Sequence, residues 1–205
     1  MDEIILVGGG GHCASCIDVI EQEAQFQIAG IVDMPDKHGT TLLGYPIIGK
    51  DEDLPKLTEN YRYFLITLGQ IKSPQRRIAL FEELLQLGAQ LPTIISPRAY
   101  ISRHATVGAG TVVMHNSLIN AGAIVGCNCI INSCALIEHD AKVGDHCHIS
   151  TGSIINGGTQ IAQCTFVGSG SVVRDNIQVG SNVLIGGGVS VMAAVPDDSL
   201  YTGKK

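Results

Sequence analysis

From Ile95 onward the chain places an Ile or Val at every sixth position: Ile95, Ile101, Val107, Val113, Ile119, Val125, Ile131, Ile137, Val143, Ile149, Ile155, Ile161, Val167, Val173, Val179, Ile185 and Val191. These two residue types fill 41 of 205 positions, so a chance run of this length has a probability on the order of 10⁻¹². Four residues after each comes a small or β-branched partner, as at Ala105, Thr111, Ser117, Ala123, Cys129, Ala135 and Ala141. A period of six fits neither a helix at 3.6 nor a meander with turns every 8–12 residues. It fits a hexapeptide parallel β-helix, in which three hexads close one triangular coil and each short strand pairs with those above and below. The aliphatic and the small residue then fill a narrow prism, and the positions between them make its corners.

Such a prism has no room for stacked rings and no place for a residue that cannot donate to a ladder. The composition follows. Six of seven prolines lie at or before Pro97, and Phe166 is the lone aromatic between Tyr100 and Tyr201. Residues 101–195 hold seven charged side chains, namely Arg103, Glu138, Asp140, Lys142, Asp145, Arg174 and Asp175. Two architectures therefore meet near residues 92–100, giving domains of 1–94 and 95–205. A net charge of −6 disfavours a nucleic-acid partner, which needs a basic face. No apolar run reaches the length of a membrane span, and the N-terminus has no signal-peptide pattern. Seven cysteines, an odd number, read as free thiols of a cytoplasmic protein.

Before the repeat the pattern is α/β. Residues 3–7 form an apolar strand that runs into Gly8, Gly9, Gly10, Gly11 and His12, and a helical pattern follows through Cys16, Val19 and Ile20. A second strand, 28–32, ends at Asp33, and 63–68 reads as a third. Residues 73–87 read as a helix with Pro74 at its start, Gly88 after it, and Ile78, Phe81, Leu84 and Leu85 as its apolar face. Strands alternating with helices give a small parallel, Rossmann-like sheet. A glycine run between strand and helix lets the backbone approach a phosphate at the helix N-terminus, and an acidic strand end can hold a ribose hydroxyl. Gly8 and Gly10 fit the dinucleotide fingerprint, but its third glycine is replaced by Cys13. The competing explanation is a tight turn without a ligand. With half of a dinucleotide fold present, a mononucleotide such as a nucleotide sugar suits the size better than NAD.

Glu138, His139 and Asp140 form the densest polar cluster of the repeat, with His146 and His148 close by. His139 falls at the third position of its hexad, on a corner. An outward imidazole between two carboxylates is placed to act as a general base. His139 and His148 lie half a coil apart, so they meet most easily across a cleft between neighbouring prisms, which points to a homotrimer with composite sites. Cys129 and Cys147 occupy the small inward position and read as packing. Cys13 and Cys16 have redox spacing, against which stands a buried helix face. His115, His139, His146 and His148 also offer enough imidazole for a zinc site, as in hexapeptide carbonic anhydrases. A non-catalytic scaffold that senses a nucleotide sugar is the third class; loss of catalysis without His139 separates it from an enzyme.

The opening V-G-G-G-G-H, the strand-ending aspartate, I-S-P at residues 95–97, I-N-S-C-A-L-I-E-H-D at 131–140 and I-G-G-G at 185–188 together resemble the bacterial nucleotide-amino-sugar acetyltransferases of the sialic acid O-acetyltransferase (NeuD/PglD) type. The resemblance spans essentially the whole chain and implies a left-handed β-helix. It further implies acetyl transfer from acetyl-CoA to the amino group of a nucleotide-linked amino-deoxy sugar in bacterial surface glycan biosynthesis, with O-acetylation of sialic acid as the alternative. His139 matches the family's general base and Asp140 the residue that orients it, where Glu is usual. Gly8, Gly10, His12 and Asp33 match nucleotide-sugar contacts, and Gly11 replaces a frequent Ser. Asn132 matches a residue near the acceptor and His148 one that touches the acetyl donor. Gly157 and Gly187 match the CoA channel, and Lys204 is a partner for a CoA phosphate.

Overall fold

The computed structural model describes residues 1–203, so Lys204 lies outside the described residues. Strand β1 (Asp2–Val7) leads into helix α1 (Gly11–Glu23), and β2 (Phe26–Val32) pairs parallel to β1. A short β3 (Thr41–Leu42) folds back on β4 (Tyr45–Gly49), which joins β2 in parallel. After a single helical turn, α2 (Leu54–Leu57), comes β5 (Tyr63–Ile66), which completes a five-stranded sheet of order β3-β4-β2-β1-β5. The β3–β4 hairpin has no counterpart in the sequence expectation: it turns through Leu43 and Gly44, both at positive φ, and Pro46, opposite Thr41, precedes Ile47 and Gly49, where β4 pairs with β2. Helix α3 (Gln75–Gln86) starts after Pro74 as expected, but its inward face differs. Arg77, Leu80, Phe81 and Leu84 are buried, whereas Leu85 is 49% exposed.

From Ile94–Ile95 to Leu200–Tyr201 the chain forms eighteen two-residue strands in a left-handed parallel β-helix. They build three flanks. Flank A has seven strands (starting Ile94–Ile95), flank B six (starting Tyr100–Ile101) and flank C five (starting Thr106–Val107). Up to Ser190–Val191 each strand residue pairs with the one eighteen positions on, as in Ile119 with Ile137 and Ile137 with Ile155, and the last coil shortens this to sixteen, Leu184 pairing with Leu200 and Ile185 with Tyr201. The sixfold aliphatics and their small partners, including Ala123, Cys129, Ala135 and Cys147, form one continuous buried core. A second rule of six sits at the corners. From Gly110 to Gly188 every sixth residue is left-handed, with φ between 52° and 75°: six glycines alternate irregularly with Asn116, Asn128, Cys134, Asp140, His146, Cys164, Asn176 and Asn182. Asn, Asp and His tolerate this conformation far better than β-branched residues, which never occur in it here.

The two parts share a seam. Helix α1 buries Cys13, Cys16, Ile17 and Ile20 against the outward residues Ile94, Val112 and Ile130 of flank A. The imidazole of His115 straps α1 to the first coil, lying 2.7 Å from Asp18 and 2.6 Å from Ser96 Oγ. Across the seam Glu23 accepts the Ile95 amide. At the corner between flanks C and A, the guanidinium of Arg77 is buried. It donates to the carbonyls of Ile66 (2.9 Å) and Leu68 (2.7 Å) and to both Asn128 O and Oδ1 (3.2 and 2.8 Å). Burial lowers its pKa to about 10, so it remains charged at neutral pH without a carboxylate partner. Replacing Arg77 by Met should therefore destabilise the chain by about 3 kcal/mol, because three buried carbonyls lose their donor. Urea unfolding measures this, and Arg77→Lys should not restore it, since a single ammonium cannot reproduce the fork.

Candidate active site

Two polar places stand out, one on each part. At the C-terminal edge of the parallel sheet, the chain leaves β1 through Gly8, whose φ of +108° and contact with Leu68 (2.6 Å from a hypothetical Cβ) exclude any side chain. Asp33 directly follows β2, and a Cβ on Gly9 would lie 2.6 Å from its carboxylate. No side chain caps α1, and the space in front of Gly10 and Gly11 is open to 4 Å. The helix thus presents free N–H groups and partial positive charge to that space. Beside it lies a cleft of about 260 Å³ lined by Gly8, Asp33, Met34, Lys50, Asp51 and Arg76. Burial raises the Asp33 pKa, but the hydrogen bond from Lys37 (2.6 Å) and those from the Met34 and Gly9 amides outweigh it and hold the carboxyl below its ordinary range. The cleft sets two cations, Lys50 and Arg76, among three carboxylates, Asp33, Asp51 and Glu52.

His12 points elsewhere. Its Nε2 lies 3.6 Å from Cys16 Sγ and its Cβ beside Gly69, at the seam with flank A. Burial, then the charges of Arg77 and His148, lower its pKa to about 3. Cys13 and Cys16 are free, fully buried thiols, and burial pushes Cys13 up to about 11 and Cys16 higher. Neither forms a thiolate at neutral pH.

The second place is the B-to-C corner, an open cleft of about 660 Å³ lined by Glu138, His139, Asp140, Asn156, Gly157 and Asn176 among others. Its residues stack at intervals of one coil. Asn120, eighteen before Glu138, donates to Glu138 Oε2 at 2.8 Å, and the same oxygen accepts the His139 amide at 3.2 Å. Asp140, in its left-handed turn, accepts from His139 Nδ1 at 3.0 Å. The shorter acid reaches the ring. Gly157, eighteen after His139, lies under the imidazole: a Cβ there would stand 2.7 Å from both Nε2 and Cε1. The Asp140 hydrogen bond, aided by the charges of Asp140 and Glu138, raises the pKa of the exposed His139. Asn120 was not singled out from the sequence, yet its spacing of eighteen from Glu138 is the signal that finds it.

Asn132 occupies the A-to-B corner and His148 the outer face of flank A, away from His139 as the half-coil spacing requires. The two meet each other instead, with Asn132 Nδ2 3.1 Å from His148 Nε2. His148 is 7% exposed, stacks edge-on against Phe166, and is lowered to about 4 by burial. Gly187 lies at the A-to-B corner lower down, 3.3 Å from Ser169 O for a hypothetical Cβ. The four candidate zinc histidines do not converge within the chain: His115 sits with Asp18, His139 with Asp140, His146 with Asn128 and Phe81, His148 with Gln70. Among the described residues no group of three His, Cys, Asp or Glu is arranged to hold a metal, and no helix is long and apolar enough to cross a membrane.

Residues 3–84 match the family model of the PglD N-terminal domain, and residues 95–196 that of the GMPPB C-terminal domain. No curated protein sequence matches the chain. Among solved structures, the chain is similar to a perosamine N-acetyltransferase from Caulobacter crescentus in complex with CoA and GDP-perosamine. That match has 29% identity and a TM-score of 0.89 over 96% of this chain and 91% of that one. It is also similar to the acetyltransferase domain of PglB from Neisseria gonorrhoeae with acetyl coenzyme A (28%, TM-score 0.88, 98% and 96% covered). WeeI from Acinetobacter baumannii, at 20% identity and a TM-score of 0.75 over 98% and 97%, shares the fold. With a PglD-type first domain docked on a hexapeptide β-helix along its whole length, the chain belongs to the NeuD/PglD-type hexapeptide acetyltransferase family.

Proposed function

We propose that the chain transfers an acetyl group from acetyl-CoA to the amino group of a nucleotide-linked amino-deoxy sugar, as a step in bacterial surface glycan synthesis. The observation that carries this reading is the exposed His139–Asp140 pair over Gly157. Its context is a chain whose neighbours are acetyltransferases with CoA or acetyl-CoA bound. Residues 1–94 are assigned to the nucleotide sugar, with the α1 N-terminus and the Gly8 and Gly10 backbone at the diphosphate and Asp33 at a ribose hydroxyl. Residues 95–205 are assigned to acetyl-CoA and the chemistry, with Asn132 at the acceptor sugar, Gly157 and Gly187 along the CoA channel, and His148 behind Asn132 near the acetyl group. Seven free thiols suit a reducing cytoplasm.

The step needs one base and alignment. Asp140 accepts the Nδ1–H of His139 and leaves the Nε2 lone pair facing the cleft. Nε2 takes a proton from the sugar amine while the amine nitrogen bonds to the thioester carbon, and the carbonyl electron pair moves onto oxygen. The Gly157 N–H, which has no hydrogen-bond partner among the described residues, is the donor assigned to that oxygen. Collapse expels the CoA thiolate, which receives the proton from the imidazolium. No acyl-enzyme is required, and burial pushes Cys129 up to about 12 and Cys147 well up too, so neither serves as a nucleophile.

Flank B supports assembly into a trimer. Its outward ladder is Tyr100, Leu118, Leu136, Ile154 and Val172, an apolar strip in register from coil to coil. The strip lies between the corner of Asn132 and the corner of His139. Three copies with flank B toward a common axis bring the His139 corner of one beside the Asn132 corner of the next, which completes the site. Leu136→Glu should give a folded monomer by sedimentation that has lost acetyl transfer; a fully active monomer overturns the composite site.

The function is tested by acetyl-CoA consumption across a panel of nucleotide amino-sugars. Turnover of free sialic acid alone would replace N- by O-acetylation. His139→Asn should lower kcat by about 10²-fold or more while nucleotide-sugar binding persists. The pH dependence has a definite sign. A base works deprotonated, so rate falls as pH drops through the His139 pKa, and that pKa is raised chiefly by the Asp140 hydrogen bond. Asp140→Asn should therefore move the acid limb of kcat/KM to lower pH while reducing its plateau. An unmoved limb assigns the limb to another group.

A further inference from the structure

One short segment, residues 67–70, ties the glycine loop to the β-helix. Thr67 donates its hydroxyl to Gly8 O at 2.6 Å, and Leu68 covers Gly8. Gln70 is 3% exposed; its Nε2 donates to His146 O at 2.9 Å, and its main-chain carbonyl lies 2.6 Å from His148 Nδ1. A carbonyl oxygen only accepts, so Nδ1 of His148 carries the hydrogen. Burial, aided by the positive charge of Arg77 from α3, outweighs the Gln70 hydrogen bond and keeps this ring neutral, and His12 from α1, itself neutral, faces it as a second uncharged imidazole. Nε2 therefore bears a bare lone pair, and the partner facing it at 3.1 Å must be the NH₂ of Asn132. The other edge agrees, because Asn132 Oδ1 accepts the Ser133 amide at 2.8 Å. The second Nδ2 hydrogen has no partner among the described residues, and Asn132 is half-exposed.

We propose that Gln70 and His148 are positioning residues that lock the Asn132 amide with an N–H, rather than its oxygen, turned to the acceptor substrate. The group so recognised is an uncharged oxygen acceptor of the sugar, a hydroxyl, ring or carbonyl oxygen. A residue of the first domain thereby sets the specificity of a corner in the second. The proposal rests on the reading that Asn132 faces the acceptor sugar.

The full-length chain tests it in two independent ways. With ¹⁵N-labelled histidine, two-bond ¹H–¹⁵N correlation at pH 7, assigned by the signal lost in His148→Gln, should show His148 protonated at Nδ1 and bare at Nε2. The opposite tautomer or an imidazolium overturns the proposal, and this arm needs no turnover, so it stands or falls apart from the acetyl-transfer reading. In kinetics, Asn132→Asp keeps the shape and removes the donor, so KM for the nucleotide sugar should rise about tenfold with KM for acetyl-CoA nearly unchanged. His148→Gln can donate to Gln70 O and accept from Asn132, so it should keep the sugar KM within about threefold, whereas His148→Leu should match the Asn132→Asp loss. Equal KM values in His148→Leu and the unaltered chain overturn it.

Discussion

A triangular coil closes only if the chain turns three times in eighteen residues, and from Gly110 to Gly188 each turn is made with one left-handed residue. That constraint sets both the fold and the chemistry. It puts residues eighteen apart directly over one another, so every corner becomes a column. Asn120 and Glu138 are one column, His139 and Gly157 the next, and the hydrogen bonds of the proposed site run up and down these columns rather than along the chain. It also decides which acid can orient the base. Position 140 is left-handed, where a short Asp is well tolerated, and the turn carries its carboxylate back to the ring before it.

The repeat was legible because its constraint acts on residue type: a position inside a narrow prism accepts only an aliphatic, and its partner only something small. The corner rule was less visible, since the left-handed position accepts Gly, Asn, Asp, His and even Cys, a set too mixed to show as a motif. His139 could be found from the scarcity of charge around it. The Asp140 contact became visible only with the turn geometry. Asn120 would have emerged from aligning the chain in eighteens.

The seam was not legible. Arg77 lies in a helix whose apolar pattern gives no reason to bury an arginine, and its partners are carbonyls of Ile66, Leu68 and Asn128, groups with no sequence signature. For the same reason the helix face was misjudged. Ile78 and Leu85 are as apolar as Leu80 and Phe81, but the face is chosen by what Arg77 must reach. Nor was the burial of His12 legible: it follows the glycine run, and its Cβ packs beside Gly69 with Nε2 3.6 Å from Cys16 Sγ.

The histidines show how environment, rather than identity, assigns work. Burial beside Arg77 holds His12 at about 3 and His148 at about 4, so both stay neutral through the physiological range and act only through fixed donors and lone pairs. His139 is exposed and carries a carboxylate on its Nδ1, which raises its pKa. A proton carrier must change charge during the reaction, and a positioning group must not. Burial separates these roles: it penalises protonation of the two inner rings, with the field of the seam's arginine adding to it, while the outer ring, at another corner, answers to Asp140 and Glu138. Burial, with one cation adding to it, thus keeps the scaffold around the site electrically still while the proposed base cycles.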